Sequence, residues 1–293
     1  MKIFFILLLC MSSTITLNGQ NKNERALKII AVGAHPDDAD QQMGGTAALF
    51  AEMGHSVKFV SVTNGDAGHF KKGGGHLAKI RIEEANEAGR RLGIDHYKVL
   101  DNHDGELTPT LDIRNQIIRE IRNWDADIVI SHRPIDYHPD HRNTGIIVQD
   151  AAYLVIVPNI VSDTPPLKKN PLFLYLEDDF KKPYPFKADI AIDITDVFEK
   201  KMKAQDAHIS QMYEWLPWVN KSLKDVPVRR EDRLDWLKKT WAIPISLKVR
   251  ESLIAWYGRD KANTVKHAES FEICEYGRQP SRKEILELFP MLN

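Results

Sequence analysis

Apolar and polar positions fall into alternating blocks along the first half of the chain. Residues 26–34, "ALKIIAVGA", are nearly all apolar, as in a strand buried on both faces. Residues 44–54, "GGTAALFAEMG", read as a helix with a glycine stop. Residues 56–63 predict a second strand, and the glycine-rich 64–76 a loop whose Gly73 to Gly75 could act as a mobile lid. Residues 77–93 predict a helix ending in glycine, and 97–100 a third strand. Pro109 opens an expected helix over 108–124; a fourth strand follows over 126–132, and another helix begins near Asp140. The second half is less regular, with strands expected over 171–176 and 188–195 and long helices over 196–213 and 229–257. Strands alternating with helices imply βαβ units and a parallel sheet. Right-handed crossovers then bring the strand C-termini to one edge, where such sheets bind ligands. No linker divides off a second domain.

Composition adds little to that picture: of 293 residues, 43% are hydrophobic and 28% charged, as in an ordinary globular chain. A net charge of -1 supplies no basic field for nucleic acid. The first residues change more. Lys2, an apolar run over 3–11 and a polar stretch to Gly19 have the layout of a secretory signal peptide, expected over 1–19, with export to the periplasm or medium. The run is about half the roughly 20 residues of a membrane span. Cys10 follows leucines rather than small residues, which argues against lipidation. After cleavage Cys274 stands alone, so the chain has no internal disulfide and no cysteine-based metal site. Any metal must be held by histidine and carboxylate.

Such residues cluster twice. "GAHPDDADQQMGG" (33–45) places His35, Asp37, Asp38 and Asp40 directly after the first strand, and "HRPIDYHPDH" (132–141) follows the fourth. His35 and Asp38 are three apart, as are His138 and His141. Catalytic zinc sites commonly combine three such ligands with one open position. Helix caps and a surface turn would account for one carboxylate but not for three. A nucleotide site is disfavoured, because the first turn lacks GxGxxG spacing and its acids would repel a pyrophosphate. Asp40 has no evident task beyond starting the helix.

"AHPDD" with a downstream "HPDH" resembles the LmbE-like/PIG-L family of zinc-dependent N-deacetylases, most clearly over residues 28–152. "AHISQMYEWLPW" (207–218) and "EICEYGR" (272–278) are weaker echoes. The resemblance implies a Rossmann-like α/β three-layer sandwich with a mostly parallel sheet. One domain over 24–293 would comprise a core of about 26–200 and a helical C-terminal extension of about 200–293. Position by position, it makes His35, Asp38 and His141 the Zn2+ ligands and Asp37 the general base. His138 becomes the stabiliser of the oxyanion or the acid for the leaving amine, and Asp140 the orienter of a histidine. It implies an N-acetylated amino sugar or oligosaccharide as substrate, with no nucleic acid partner and no membrane span. His and carboxylate sites also accept iron, cobalt or manganese. A metal-dependent amidase or esterase on a non-sugar substrate, or a non-catalytic carbohydrate-binding protein, are the alternatives.

Other residues carry two readings each. Arg81 either reaches a sugar or lies exposed on its helix, and Asp104 and Asp66 either accept from sugar hydroxyls or stabilise turns. Arg133, Asp136 and Tyr137 either shape the pocket or order a loop. His69, His76 and His103 are expected to be solvated or near substrate rather than ligands. Trp215 and Trp218 are expected in the core, with stacking on a sugar as the other reading.

Overall fold

A computed structural model of the chain describes residues 25–292, so the expected signal peptide lies outside the described residues. Strands β1 (Lys28–Gly33), β2 (Ser56–Ser61), β3 (His96–Val99), β4 (Ile128–Ser131) and β5 (Leu172–Leu176) pair in parallel in the order β3-β2-β1-β4-β5. β6 (Ile190–Asp193) and β7 (Ala268–Gly277) complete a seven-stranded sheet, with β7 antiparallel between β5 and β6. The apolar run of β1 explains its central place. Ile29 and Ala31 join the core on one face, and Ile30 and Val32 the core on the other.

Helices α1 (Asp38–Glu52) and α2 (Gly74–Leu92) cover the first face with α5 (Phe198–Gln205), while α3 (Leu111–Trp124) and α4 (Pro139–Leu154) cover the second. The result is the three-layer α/β architecture. β1 lies between β2 and β4, where the strand order reverses, so the loops after β1 and β4 meet at the topological switch point.

Several boundaries differ from expectation. α1 begins at Asp38 rather than Gly44, but it is kinked at Met43, where φ is -139°. Beyond the kink, Gly45 and Thr46 donate their N–H groups to the buried Glu269 carboxylate of β7, at 2.9 and 2.6 Å. Lys201 of α5 neutralises that carboxylate at 2.7 Å. Gly44 thus marks the second segment of a bent helix. Pro109 precedes α3 instead of opening it, and Thr110 is the cap. Gly74 and Gly75 form the first turn of α2 and not a lid.

The two long helices expected in the second half are broken. After α5 come a π-helical turn (Ser210–Trp215) and α6 (Leu216–Val219). α7 (Arg233–Trp241) and α8 (Leu247–Tyr257) are separated around Pro244, which has no N–H to donate and disfavours helix in Ile243. α9 (Arg259–Thr264) and α10 (Arg282–Leu288) flank β7. The segment expected as a helical extension therefore also supplies a strand inside the sheet. No described helix is long and apolar enough to cross a membrane.

α4 must lie close to the loop after β4, since it carries His141. Gly145 allows this: a Cβ there would stand 2.8 Å from Arg133 C, His132 O and Pro134 N, all backbone atoms. Gly145→Ala is expected to destabilise the protein by about 1–3 kcal/mol, the usual cost of overpacking. A urea midpoint unchanged from the parent would refute this.

Candidate metal centre and active site

The turn after β1 closes tightly around the Asp38 side chain. At Gly33 a Cβ would come 2.9 Å from Asp38 Cβ, so only glycine lets the turn close. Asp38 Oδ2 then accepts the His35 backbone N–H at 2.7 Å. α4 brings His141 onto this turn. His35 Nδ1 stands 3.1 Å from His141 Nε2 and 3.5 Å from Asp38 Oδ2. His141 Nε2 stands 3.4 Å from Asp38 Oδ1. Three ligands bound tetrahedrally at roughly 2.1 Å lie about 3.4 Å apart. The side chains expected as ligands thus lie together, with the two histidines on different oxygens of Asp38, and the groups able to share one metal also draw in His138, with His35 and His141, and His132, with Asp38 and His141.

The outer nitrogen of each histidine meets a carboxylate, as metal-binding histidines usually require. Asp104 Oδ1 lies 3.1 Å from His35 Nε2, with Asp140 Oδ2 at 3.6 Å. Asp136 Oδ1 lies 3.1 Å from His141 Nδ1. Asp140 also accepts the backbone N–H groups of Gly105 and Leu107, at 2.6 and 3.3 Å, and so fixes the loop that carries Asp104. Burial would raise the Asp38 carboxyl, but the His141 and His132 imidazoles hold it well below the usual range. Burial would likewise lower both histidines. Asp104, Asp140 and Asp38 raise His35, and Asp38 and Asp136 bring His141 up to about 9. A ligand histidine must be neutral, so metal uptake at neutral pH displaces protons from this cluster.

His132, at the end of β4, was assigned no task from sequence. Its ring lies flat on His141, with centroids 4.2 Å apart and planes at 14°. Its Nε2 stands 3.1 Å from Asp38 Oδ2 and 3.2 Å from the Ala34 N–H. Burial, with His141 beside it, lowers its pKa and keeps it neutral. It therefore supports two of the three ligands from behind. His132→Leu is expected to weaken metal binding about 10–100-fold. A competition titration against a chelating dye measures this, and unchanged affinity would remove His132 from the support shell. The only sequence signal was its position at a strand end.

Asp37 belongs to none of the converging ligand groups. Its Oδ2 accepts from Gln41 Nε2 at 2.5 Å, while Oδ1 is buried with no partner among the described residues. Burial and the neighbouring Asp38 push its carboxyl up to about 6, against the opposing charges of Arg81, His208 and His35. His138 is the N-cap of α4, and its Nδ1 accepts the Asp140 backbone N–H at 3.2 Å. Burial, then His35 and His141, lower its pKa. A neutral ring that accepts at Nδ1 carries its proton on Nε2 and is a donor there.

A cavity of about 270 Å³ opens on this centre, lined by His35, His138, Arg81, Asp104, Tyr137 and Trp215 among others. Arg81 is buried, which excludes the exposed-helix reading, and its Nη2 donates to Gly68 O at 2.7 Å. Asp66 does not line the cavity. Its oxygens accept from the Asp104 N–H at 3.0 Å and face His103 Nδ1 at 2.8 Å, so it orders the loop, contrary to its expected contact with substrate. The core expectation for the tryptophans also fails. Trp215 lines the cavity, and Trp218, 47% exposed, stacks between it and Phe70. His69 continues that stack on Phe70 and meets Glu214 at 2.8 Å. Arg133 pairs with Asp178 at 2.6 Å and so ties down a loop. Asp40 is fully buried against His208 Nε2 at 2.5 Å, a partner with no local sequence signal.

Comparison with known proteins places this geometry. The family model described as PIG-L, GlcNAc-PI de-N-acetylase, matches residues 30–152. A diacetylchitobiose deacetylase of Thermococcus kodakarensis is 30% identical over 203 residues, which are 65% of this chain and 73% of that one. A 4-oxalmesaconate hydratase of Pseudomonas putida is 26% identical over 204 residues, covering 67% and 78%. Among solved structures, the N,N'-diacetylchitobiose deacetylase of Pyrococcus horikoshii with its inhibitor superposes with a TM-score of 0.62 at 25% identity, over 85% of this chain and 84% of that one.

Proposed function

The chain belongs to the PIG-L family of de-N-acetylases, and from that premise we propose that it is a zinc-dependent hydrolase of N-acetylated amino sugars. It removes acetyl from an N-acetylglucosamine-type residue of a sugar or glycoconjugate. The observation that carries this reading is the meeting of His35, Asp38 and His141 beside an Asp37 oxygen that has no partner among the described residues. The signal-peptide-like residues 1–19 support a substrate outside the cytoplasm.

His35, Asp38 and His141 would hold the zinc, which when bound would supply Lewis acidity and lower the pKa of water. Asp37 Oδ1 takes the proton of the attacking water, being a carboxylate oxygen with no partner among the described residues. His138 donates from Nε2 to the carbonyl oxygen as negative charge develops there, a contribution of about 3 kcal/mol for one such donor. The amine leaves only as a neutral molecule, so Asp37 returns its proton to the nitrogen. Asp104 and Asp136 stand 3.1 Å from the outer nitrogens of His35 and His141, where their charge favours these rings. Arg81 and Trp215 offer the sugar a charged donor and a flat apolar face.

Acetate release from N-acetylglucosamine and N,N'-diacetylchitobiose, with and without chelator, tests the reading. Stoichiometric acetate and free amine, lost with chelator and restored by zinc, are expected. Release from O-acetyl esters alone, or none from any amide, would overturn it. The hydratase relative gives a reason to assay hydration of 4-oxalmesaconate in parallel.

A further inference from the structure

One wall of the catalytic cavity is made of two segments far apart in sequence. The π-helical turn and α6 supply Gln211, Trp215, Leu216 and Val219, and the loop after β2 supplies Gly65, Ala67 and Gly68. π-Helical turns are rare and often mark functional sites. Both segments are fastened to α2. Ser210 opens the turn by donating its N–H and its hydroxyl to the buried Glu84 carboxylate, at 2.7 and 2.6 Å. One turn earlier on α2, Arg81 donates to Gly68 O at 2.7 Å.

Four rings then lock the two segments to each other. Trp215 stacks on Trp218 with centroids 5.3 Å apart, Trp218 on Phe70 at 5.4 Å, and Phe70 on His69 at 4.6 Å. His69 ends the column. Its Nδ1 accepts the Lys71 and Lys72 backbone N–H groups, so its proton sits on Nε2, which donates to Glu214 at 2.8 Å. Lys72 Nζ reaches the same oxygen at 2.6 Å. Of the four rings only that of Trp215 lines the cavity. A Cβ on Gly68 would stand 3.3 Å from Asp104 Oδ2, 3.4 Å from Arg81 Nη2 and 3.6 Å from Trp215 Nε1. One point of the cavity wall is thus ringed by a carboxylate, a guanidinium and an indole. The indole Nε1 has no partner among the described residues and, unlike Gln211 Oε1, is not enclosed. A sugar hydroxyl beside that point finds donors and an acceptor together.

We propose that Trp215 is a substrate-binding residue that donates its indole N–H to a sugar hydroxyl, and that Phe70 and Trp218 are positioning residues that hold it there without touching the sugar. The choice of ligand rests on the deacetylase reading. Each stacked pair removes ring freedom before the sugar arrives, so the column tightens binding and leaves the chemical step alone.

Acetate release gives kcat and KM for N,N'-diacetylchitobiose, and calorimetry gives its Kd in metal-loaded Asp37→Asn protein. Phe70→Leu is expected to raise KM and Kd about three- to tenfold, the loss expected for one aromatic pair, with kcat within about twofold of the parent. Phe70→Tyr should restore both constants. Trp215→Phe keeps a ring but no N–H, and should raise Kd about three- to tenfold. In a Trp215→Ala background Phe70→Leu should add nothing, because it acts only through that ring. Trp218→Leu, at a half-exposed position, takes the place of Phe70→Leu should that variant not fold. Unchanged KM and Kd in these variants, a fall in kcat alone, or additive effects of the Phe70 and Trp215 substitutions would overturn the proposal. Acetate release that is insensitive to both residues would uphold the proposed function and refute the column. Binding that responds as expected, with no acetate released, would do the reverse.

Discussion

Asp37→Asn is expected to lower acetate release about a hundredfold to ten-thousandfold while leaving the metal in place. The substitution keeps the shape of the side chain and an oxygen for Gln41. It removes the one feature on which the assignment rests, a carboxylate oxygen buried beside the ligand turn with no partner among the described residues. The pH profile gives an independent check. A general base works only when ionised, so the parent enzyme should lose activity as acid protonates Asp37. Burial and Asp38 bring that carboxyl up to about 6, and a bound divalent cation would pull it down. The acid limb is therefore expected at or below about pH 6. Residual activity in the Asn variant should lack this limb. A variant that keeps full activity would move the base elsewhere, and one that loses its metal would make Asp37 a ligand.

His141→Ala is expected to strip the metal and reduce acetate release to the level of chelated enzyme. His141 Nε2 lies 3.1 Å from His35 Nδ1 and 3.4 Å from Asp38 Oδ1, and two ligands do not form the three-point set of a catalytic site. Its loss also removes the charge that most strongly holds Asp38 ionised against its burial. α4 itself should persist, since Ile147, Val148 and Ala151 anchor it in the core. Elemental analysis after dialysis, with far-ultraviolet circular dichroism to monitor the fold, separates the outcomes. A variant that retains one metal per chain at parental affinity would show that His35 and Asp38 bind with another partner. His132, 3.1 Å from Asp38, is the nearest histidine able to take that place.

Much of the fold was legible because its cues are local. The continuous apolar run of β1, the glycine stop at Gly93 and the block alternation up to α4 each follow from residues close in sequence. The catalytic cluster was legible for the same reason: His35, Asp37 and Asp38 occupy one turn, and His138 and His141 open one helix. β7 was not legible as a strand within the sheet. It carries two charged side chains, Glu269 and Glu272, yet both are buried. Their partners are Gly45, 224 residues from Glu269, and the Lys187 N–H, 85 residues from Glu272. The supporting shell was hidden in the same way. Asp104 and Asp136 follow different strands, and neither spacing marks the histidine nitrogen it faces. His208 and Asp40 are 168 residues apart and meet only because α5 ends over the start of α1.

Sequence by itself therefore determined the layered α/β class, the sheet edge at which the histidine and carboxylate motifs meet, and the residues we propose to bind metal and move a proton. Hydrophobic period, chain reversal and ligand spacing are short-range properties, and right-handed crossovers carry them to one edge. Only the tertiary structure decided which carboxylate stands beside which histidine, that Asp66 orders a loop, and that Trp215 lines the cavity. Those outcomes depend on which distant group reaches a buried charge or donor. A buried polar group is tolerated only where such a partner exists, so its role is set by packing between segments and not by its neighbours in the chain.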